Sequence, residues 1–136
     1  MNKRFFSLCI AVAALGAASL AHANDFADLR GKLSAARESL VTMLVNKDKR
    51  GADHQKVVKD TADAVSAALT KLKAPAGKEA QFNELVSNWT AFKKTRETEL
   101  VPLILAGKDE EARKIAGGIQ KERITKCQQM VGELGG

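Results

Sequence analysis

The chain has 136 residues and a formal net charge of +6 at pH 7, and this length suits one domain built around one hydrophobic core. Lysines and acidic residues are interspersed along the sequence without a basic cluster, which excludes the pattern typical of nucleic-acid binding. Of the two cysteines, only Cys127 lies beyond the amino-terminal leader described next. We therefore expect a domain that is stabilised by packing rather than by an internal disulfide.

Residues 1–23 have the features of an export signal. A short basic head precedes an almost unbroken apolar run, and Ala21 and Ala23 are the small residues that a signal peptidase recognises. We expect cleavage between Ala23 and Asn24, which leaves a periplasmic domain of residues 24–136. No later stretch has the roughly 20 apolar residues that a membrane span requires.

Two amphipathic helices are predicted in the first half of this domain. Apolar residues recur at three- and four-residue steps over 25–45 and 53–72, which is the pattern of a helix with one buried face. The polar segment 46–51 breaks the period and is predicted to be a loop. Pro75 and Gly77 end the second helix.

Two more helices are predicted in the second half. The same spacing continues over 78–106, with a kink near Pro102, which cannot donate a backbone hydrogen bond. The fourth helix covers 109–134. Because glycine is unfavourable inside a helix, Gly117 and Gly118 indicate a bend or a close helix crossing.

Four helices of about 20 residues form rods roughly 30 Å long. Short connections place neighbouring helices antiparallel, and the spacing of the apolar residues suits a left-handed bundle. The sequence has no alternating pattern typical of strands. It therefore predicts an all-α protein, an antiparallel up-down-up-down four-helix bundle.

Two arginines occupy positions at which the apolar stripes predict hydrophobic side chains: Arg96 in the third helix and Arg123 in the fourth. Counted along the helices, Arg37 and Asp63 lie at a depth similar to that of Arg96. Guanidiniums held between helices at one level suit a small carboxylate or another small anion. The alternative is that nearby carboxylates neutralise these arginines, or that their side chains reach solvent. These four residues are the candidate ligand-binding set.

Metal and haem binding have weaker sequence support. His54 and Met43 lie at one end of the predicted bundle, and Cys127 falls late in the fourth helix, but neither C-x-x-C-H nor an E-x-x-H pair occurs. We expect His54 to be solvated and Cys127 to be a half-buried thiol, with a redox thiol or an intermolecular disulfide as the alternatives. No metal or cofactor is predicted.

Catalysis is not predicted either. The sequence contains no nucleophile and base pair, no glycine-rich phosphate loop and no zinc-ligand spacing. A single histidine beyond the leader, His54, cannot complete a hydrolase triad. We therefore expect a protein that is not an enzyme.

The third and fourth helices resemble the second half of the four-helix-bundle ligand-binding domains of methyl-accepting chemotaxis receptors. The resemblance lies in the order and spacing of Trp89, Phe92, Arg96, Glu99, Leu100, Pro102, Leu103, Ala106, Gly107, Lys108, Ala112, Gly118, Gln120 and Arg123. It implies a periplasmic sensory bundle that dimerises through its first helix and binds a small solute near the dimer interface. Because no second membrane span or signalling region follows in this sequence, we expect a free-standing bundle that acts with a membrane signalling protein.

A second resemblance is to the soluble periplasmic cytochrome b bundle, in export, size and helix order. Alignment at the Gly107 turn places Cys127 on that family's haem-ligating histidine, and alignment of the first helix places Leu33 on its methionine. Both ligands would be lost, so this resemblance implies a relative without haem.

The sequence thus favours a periplasmic, non-catalytic, sensor-like module that binds a small solute or a membrane partner. The alternatives are a haem-binding electron carrier and a partner-binding structural bundle without a small ligand.

Overall fold

The apolar stripes of the sequence fold into helices. The computed structural model describes residues 14–135, with side chains from Ala23 onward, and every regular element in this range is helical. The elements are α1 (Ala14–Val45), a 3-10 turn (Lys47–Lys49), α2 (Ala52–Lys71), α3 (Glu79–Thr95), a π turn (Arg96–Leu100), α4 (Val101–Leu105), α5 (Asp109–Gly117) and α6 (Ile119–Gly135). The elements from α3 to α4 are continuous, and one residue separates α5 from α6, so residues 14–135 form four helical stretches. The all-α prediction is confirmed.

The amino-terminal end of α1 differs from the prediction. Within the described residues the helix extends back to Ala14, beyond the start near Asp25 that is expected for the cleaved chain, because the alanine-rich segment before Asp25 favours helix. The predicted cleavage site between Ala23 and Asn24 therefore lies inside α1. Residues 1–13 of the predicted signal peptide lie outside the described residues. None of the helices in the described range combines the length and the hydropathy that a membrane crossing requires.

Pro102 perturbs the helix in the turn that precedes it. Proline has no N–H and crowds the carbonyl four residues earlier, which is that of Thr98. The structure accommodates this with the π turn, in which the amide of Val101 donates to the carbonyl of Arg96, five residues back. The kink predicted near Pro102 thus takes the form of a π turn, a feature found frequently at functional sites.

Gly118 interrupts the fourth helical stretch. Its backbone angles, φ −98° and ψ −114°, are not helical, and a Cβ at this position would lie 2.8 Å from the carbonyl oxygen of Lys114. A Cβ at Gly117 would meet no atom within 4 Å. The local geometry therefore requires a glycine at Gly118 and not at Gly117.

The core consists of two apolar clusters with a polar layer between them. The large cluster contains Phe26, Leu29, Leu33, Ala36, Ala62, Val65, Leu69, Leu85, Trp89, Phe92, Ile124, Cys127, Met130, Val131 and Leu134. The small cluster contains Leu40, Met43, Leu44, Val58, Leu100, Ile104 and Ala112. Between the positions that belong to the two clusters, each of the four stretches contributes a polar residue that is buried or partly buried. We call these four residues the polar layer: Ser39, Thr61, Arg96 and Gln120.

Candidate functional site

Arg96 is a fully buried charged residue, with 1% of its surface exposed. From the π turn its guanidinium reaches α1 and α2: Nη1 donates to the carbonyl oxygen of Ala36 at 2.6 Å, and Nη2 donates to that of Val58 at 2.6 Å. Nη2 also lies 3.4 Å from the hydroxyl oxygen of Ser39. One side chain thus joins three helical stretches at the level of the polar layer.

The positive charge of Arg96 is not paired with a carboxylate among the residues that the structure describes. Burial lowers the pKa of Arg96 to about 10, so the side chain remains protonated at neutral pH. Backbone carbonyls solvate the guanidinium but carry no net charge, and a buried charge without a counter-ion is costly.

A groove of about 410 Å³ lies between α2 and α3 beside this buried charge. Its wall includes the apolar side chains of Val58, Ala62 and Val101. The complete lining is Gln55, Val58, Lys59, Ala62, Asp63, Lys93, Arg96, Glu97 and Val101. Three of these side chains are cationic and two are anionic, so the groove has a net positive charge and the volume of a site for a small organic molecule. We call it the α2–α3 groove.

The two carboxylates of the groove are already paired with lysines. Asp63 lies 2.6 Å from Nζ of Lys59 and 3.6 Å from Nζ of Lys93, and Glu97 lies 2.9 Å from Nζ of Lys93. The hydrogen bond from Lys59 lowers the pKa of Asp63. Because the lysines are engaged in these pairs, Arg96 provides the unbalanced charge of the groove.

The structure brings two of the four predicted ligand-binding residues, Arg96 and Asp63, to the groove. Arg123 lies elsewhere: its Nη1 donates to the hydroxyl of Thr95 at 2.8 Å and to the side-chain oxygen of Gln120 at 3.0 Å. Gln120 in turn donates to the carbonyl of Phe92. Arg123 therefore supports the packing of α6 on α3.

Arg37 does not join this group, because its side chain is exposed on α1. It follows the buried residue Ala36 by one position, which rotates it by about 100° around the helix axis. The number of residues along the helix predicts how deep Arg37 lies in the bundle, but it does not predict which way its side chain points.

The three haem-ligand candidates are not brought together. Met43 lies in the small cluster and Cys127 in the large one. His54 is half-buried rather than solvated, because its Nε2 donates to the carbonyl oxygen of Ser39 at 2.8 Å. Cys127 is fully buried rather than half-buried, and burial raises its pKa to about 12. Across the described residues, no three His, Cys, Asp or Glu side chains form a metal-binding group.

Arg50 is a structural residue that the sequence patterns did not single out. Its Nε donates to the carbonyl of Met43 at 3.0 Å, and Nη2 donates to that of Leu44 at 2.8 Å, at the end of α1. Its Nη1 donates to the carbonyl of Ile104 at the end of α4 and lies 2.9 Å from Oδ1 of Asp109, the first residue of α5. We call this set of contacts the Arg50 clamp. An arginine shortly after a predicted helix end was the available signal, since arginine commonly binds the last carbonyls of a helix.

No family model, no curated protein and no solved structure matches this chain. A functional proposal therefore rests on the residues and geometry described above.

Proposed function

We propose that this chain is an exported, non-catalytic, sensor-like binding protein, an antiparallel four-helix bundle that takes up a small carboxylate or a similar anion in the α2–α3 groove. The observation that carries the proposal is the buried guanidinium of Arg96, which has no carboxylate partner among the described residues and lines an open groove. A carboxylate in the groove supplies the missing negative charge.

Arg96 retains hydrogen-bond donors for such a ligand. A guanidinium has five N–H donors, and its contacts with Ala36, Ser39 and Val58 engage only the two terminal nitrogens. Carboxylates are the groups that arginine binds most favourably. The apolar wall of the groove suits a ligand with a short hydrocarbon body.

Residue pairs between the helices support the antiparallel arrangement. Numbers rise along α3 while they fall along α6 in the contacts Lys78–Glu133, Glu84–Lys126 and Phe92–Gln120. The same holds for α2 and α3 in the contacts Val58–Arg96, Asp63–Lys93 and Ser66–Trp89. Short connections between the stretches agree with this order.

Export and the sensor-like role rest on the sequence. The leader of residues 1–23 supports transport to the periplasm, and the resemblance of the third and fourth stretches to chemotaxis receptor domains supports a sensory bundle. Mass spectrometry of protein recovered from the periplasm tests the first point. We expect a chain that begins at Asn24, and a full-length cytoplasmic product contradicts export.

Thermal-shift measurements test the anion site. We propose a screen of isobutyrate, succinate and benzoate, each compared with its uncharged amide. Binding stabilises the folded state by RT ln(1 + [L]/Kd), about 1.4 kcal/mol at tenfold excess over Kd, which corresponds to a rise of about 5 °C for a domain of this size. We expect at least one acid, and none of the amides, to raise the melting temperature.

Two variants locate the binding. Arg96→Met removes the charge and keeps an apolar stem of similar length, so it is expected to abolish the shift. Lys108→Ala removes an exposed charge in the turn before α5, away from the groove, and is expected to retain it. Equal shifts in both variants contradict the proposal.

Partner binding through α1 is a second candidate function. Val41 and Val45, one turn apart on α1, are 42% and 64% exposed, which favours contact with a second copy or with a membrane signalling protein. Light scattering of the wild type and of a Val41→Ser, Val45→Ser variant tests self-association. A dimer that becomes a monomer in the variant supports it, and monomers in both cases contradict it.

A further inference from the structure

Two interruptions of helical hydrogen bonding face each other in the structure. One is the π turn, Arg96–Leu100, and the other is the break at Gly118. The π turn contacts α5, and Gln120, just beyond the break, donates to the carbonyl of Phe92, one turn before the π turn. The two irregular points therefore lie at one level, next to the polar layer.

The segment between these points is a hairpin that packs on the small cluster. It consists of α4, the turn at Gly107 and α5, and it spans 101–117. Its buried residues Ile104 and Ala112 belong to the small cluster, whereas α3 and α6 contribute to the large cluster. The hairpin therefore packs on the small cluster, which also contains residues of α1 and α2, and the polar layer lies between it and the large cluster.

The Arg50 clamp holds this hairpin against the end of α1. Arg50 contacts Ile104 on one side of the hairpin and Asp109 on the other, and the same guanidinium binds the carbonyls of Met43 and Leu44. These are polar contacts of a partly exposed side chain, which are individually weaker than apolar core packing. The hairpin contributes only two fully buried residues, Ile104 and Ala112, to the smaller of the two apolar clusters. It is therefore expected to open at a lower free energy than the helices that form the large cluster.

We infer that the hairpin of residues 101–117 is a hinged unit, which opens about the π turn and Gly118 and is held closed by the Arg50 clamp. The groove is coupled to this motion, because Arg96 and Glu97 belong to the π turn and Val101 is the first residue of the hairpin. This coupling rests on the proposed function: a carboxylate in the groove stabilises the closed hairpin, and closure by linkage strengthens carboxylate binding.

Hydrogen–deuterium exchange read by mass spectrometry tests the hinge on the protein without ligand. Asp109→Asn weakens the clamp and Arg50→Ala removes it. We expect exchange of peptides from 101–117 to accelerate several-fold in Asp109→Asn and further in Arg50→Ala, while peptides from 80–95 and 120–135 keep their wild-type rates. Glu110→Gln, which alters only an exposed neighbour of Asp109, is the matched control and is expected to exchange as the wild type does.

Two outcomes overturn the hinge: parallel acceleration of all peptides, which indicates global destabilisation, or unchanged exchange of the hairpin in both clamp variants.

Addition of isobutyrate, succinate or benzoate to the wild type tests separately whether the groove is coupled to the hinge. An acid that raises the melting temperature is expected to slow exchange of the hairpin. If it raises the melting temperature and leaves that exchange unchanged, the coupling is wrong and the anion site stands. If none of the three acids raises the melting temperature, the coupling fails together with the proposed function, and the clamp variants alone decide the hinge.

Discussion

Arg96 donates a hydrogen bond of 2.6 Å to the carbonyl oxygen of Val58, in the first half of α2. That carbonyl belongs to a residue of the small cluster, while Ala36, which accepts the second bond, belongs to the large cluster. The guanidinium therefore lies where the two apolar clusters meet. A charge at such a position costs desolvation free energy, so its removal has a different effect on stability from the removal of an ordinary core residue.

Replacement of Arg96 separates the contribution of its volume from that of its charge. Arg96→Ala leaves a cavity, and we expect it to lower the free energy of unfolding by about 2–5 kcal/mol. Arg96→Met fills most of the space without a charge, and we expect a change of less than about 1.5 kcal/mol in either direction. Urea unfolding followed by the fluorescence of Trp89, the only tryptophan of the chain, measures both. A methionine variant as unstable as the alanine variant would show that the hydrogen bonds of the guanidinium dominate.

The glycine pair in the fourth stretch gives a matched test of the local geometry. We expect Gly118→Ala to destabilise the fold, because its Cβ would lie 2.8 Å from the carbonyl oxygen of Lys114. In Gly117→Ala the added Cβ has no atom within 4 Å and lies in a helical segment. We expect this substitution to stabilise the fold by about 0.5–1 kcal/mol. Thermal unfolding of the two variants measures the difference. The account of the break is wrong if both substitutions change stability in the same direction.

The pair of Arg50 and Asp109 predicts a dependence of stability on pH. Contact with Arg50 lowers the pKa of Asp109 below its ordinary value of 3.8. A carboxyl group with a lowered pKa in the folded state stabilises that state above its unfolded pKa, and this contribution disappears as the pH falls through the folded pKa. We therefore expect the stability difference between the wild type and Asp109→Asn to be present at pH 7 and to shrink from about pH 4 downward.

Urea midpoints measured from about pH 6 to about pH 2 test this prediction. Glu110→Gln serves as the control, because its partner Lys114 lies 3.7 Å away and both side chains are exposed. A difference between Asp109→Asn and the wild type that stays constant over the whole range would contradict the role of the ion pair.

Cys127 is predicted to be unreactive in the folded protein. Its side chain is fully buried in the large cluster, and burial raises its pKa to about 12, so little thiolate forms at neutral pH. We expect iodoacetamide to modify the peptide that contains Cys127 only when the protein unfolds, with a rate that increases with urea. Rapid modification in native buffer, or a dimer that disappears on reduction, would instead support the redox role.

The apolar spacing predicted the helices because burial of one face repeats every three or four residues. The predicted end of the first helix agrees with the structure, in which α1 ends at Val45 and a polar loop follows. The π turn is less accessible to such reasoning, since Pro102 indicates where the helix is disturbed but not which hydrogen bonds replace the lost one. Asp25 is the expected start of α1 after removal of the leader, whereas in the uncleaved chain the helix extends back to Ala14.

The candidate site was only partly predictable for a similar reason. Arg96 interrupts an apolar stripe, and periodicity reveals such an interruption. Arg37 lies at the depth of Arg96, but its side chain points elsewhere. A count of residues along the helix omits the rotation of each residue about the helix axis. Arg50 lies outside the helices, where no period applies, so its contacts with Ile104 and Asp109 become visible only in three dimensions.

The most direct test of the central claim is a titration of the ¹⁵N-labelled protein with isobutyrate and with isobutyramide, followed by ¹H–¹⁵N correlation spectra. The account predicts saturable shifts at amides of Ala62, Asp63 and Glu97 with the acid, and none with the amide or in Arg96→Met. Identical shifts with both compounds, or shifts confined to residues away from the α2–α3 groove, would contradict an anion site at Arg96.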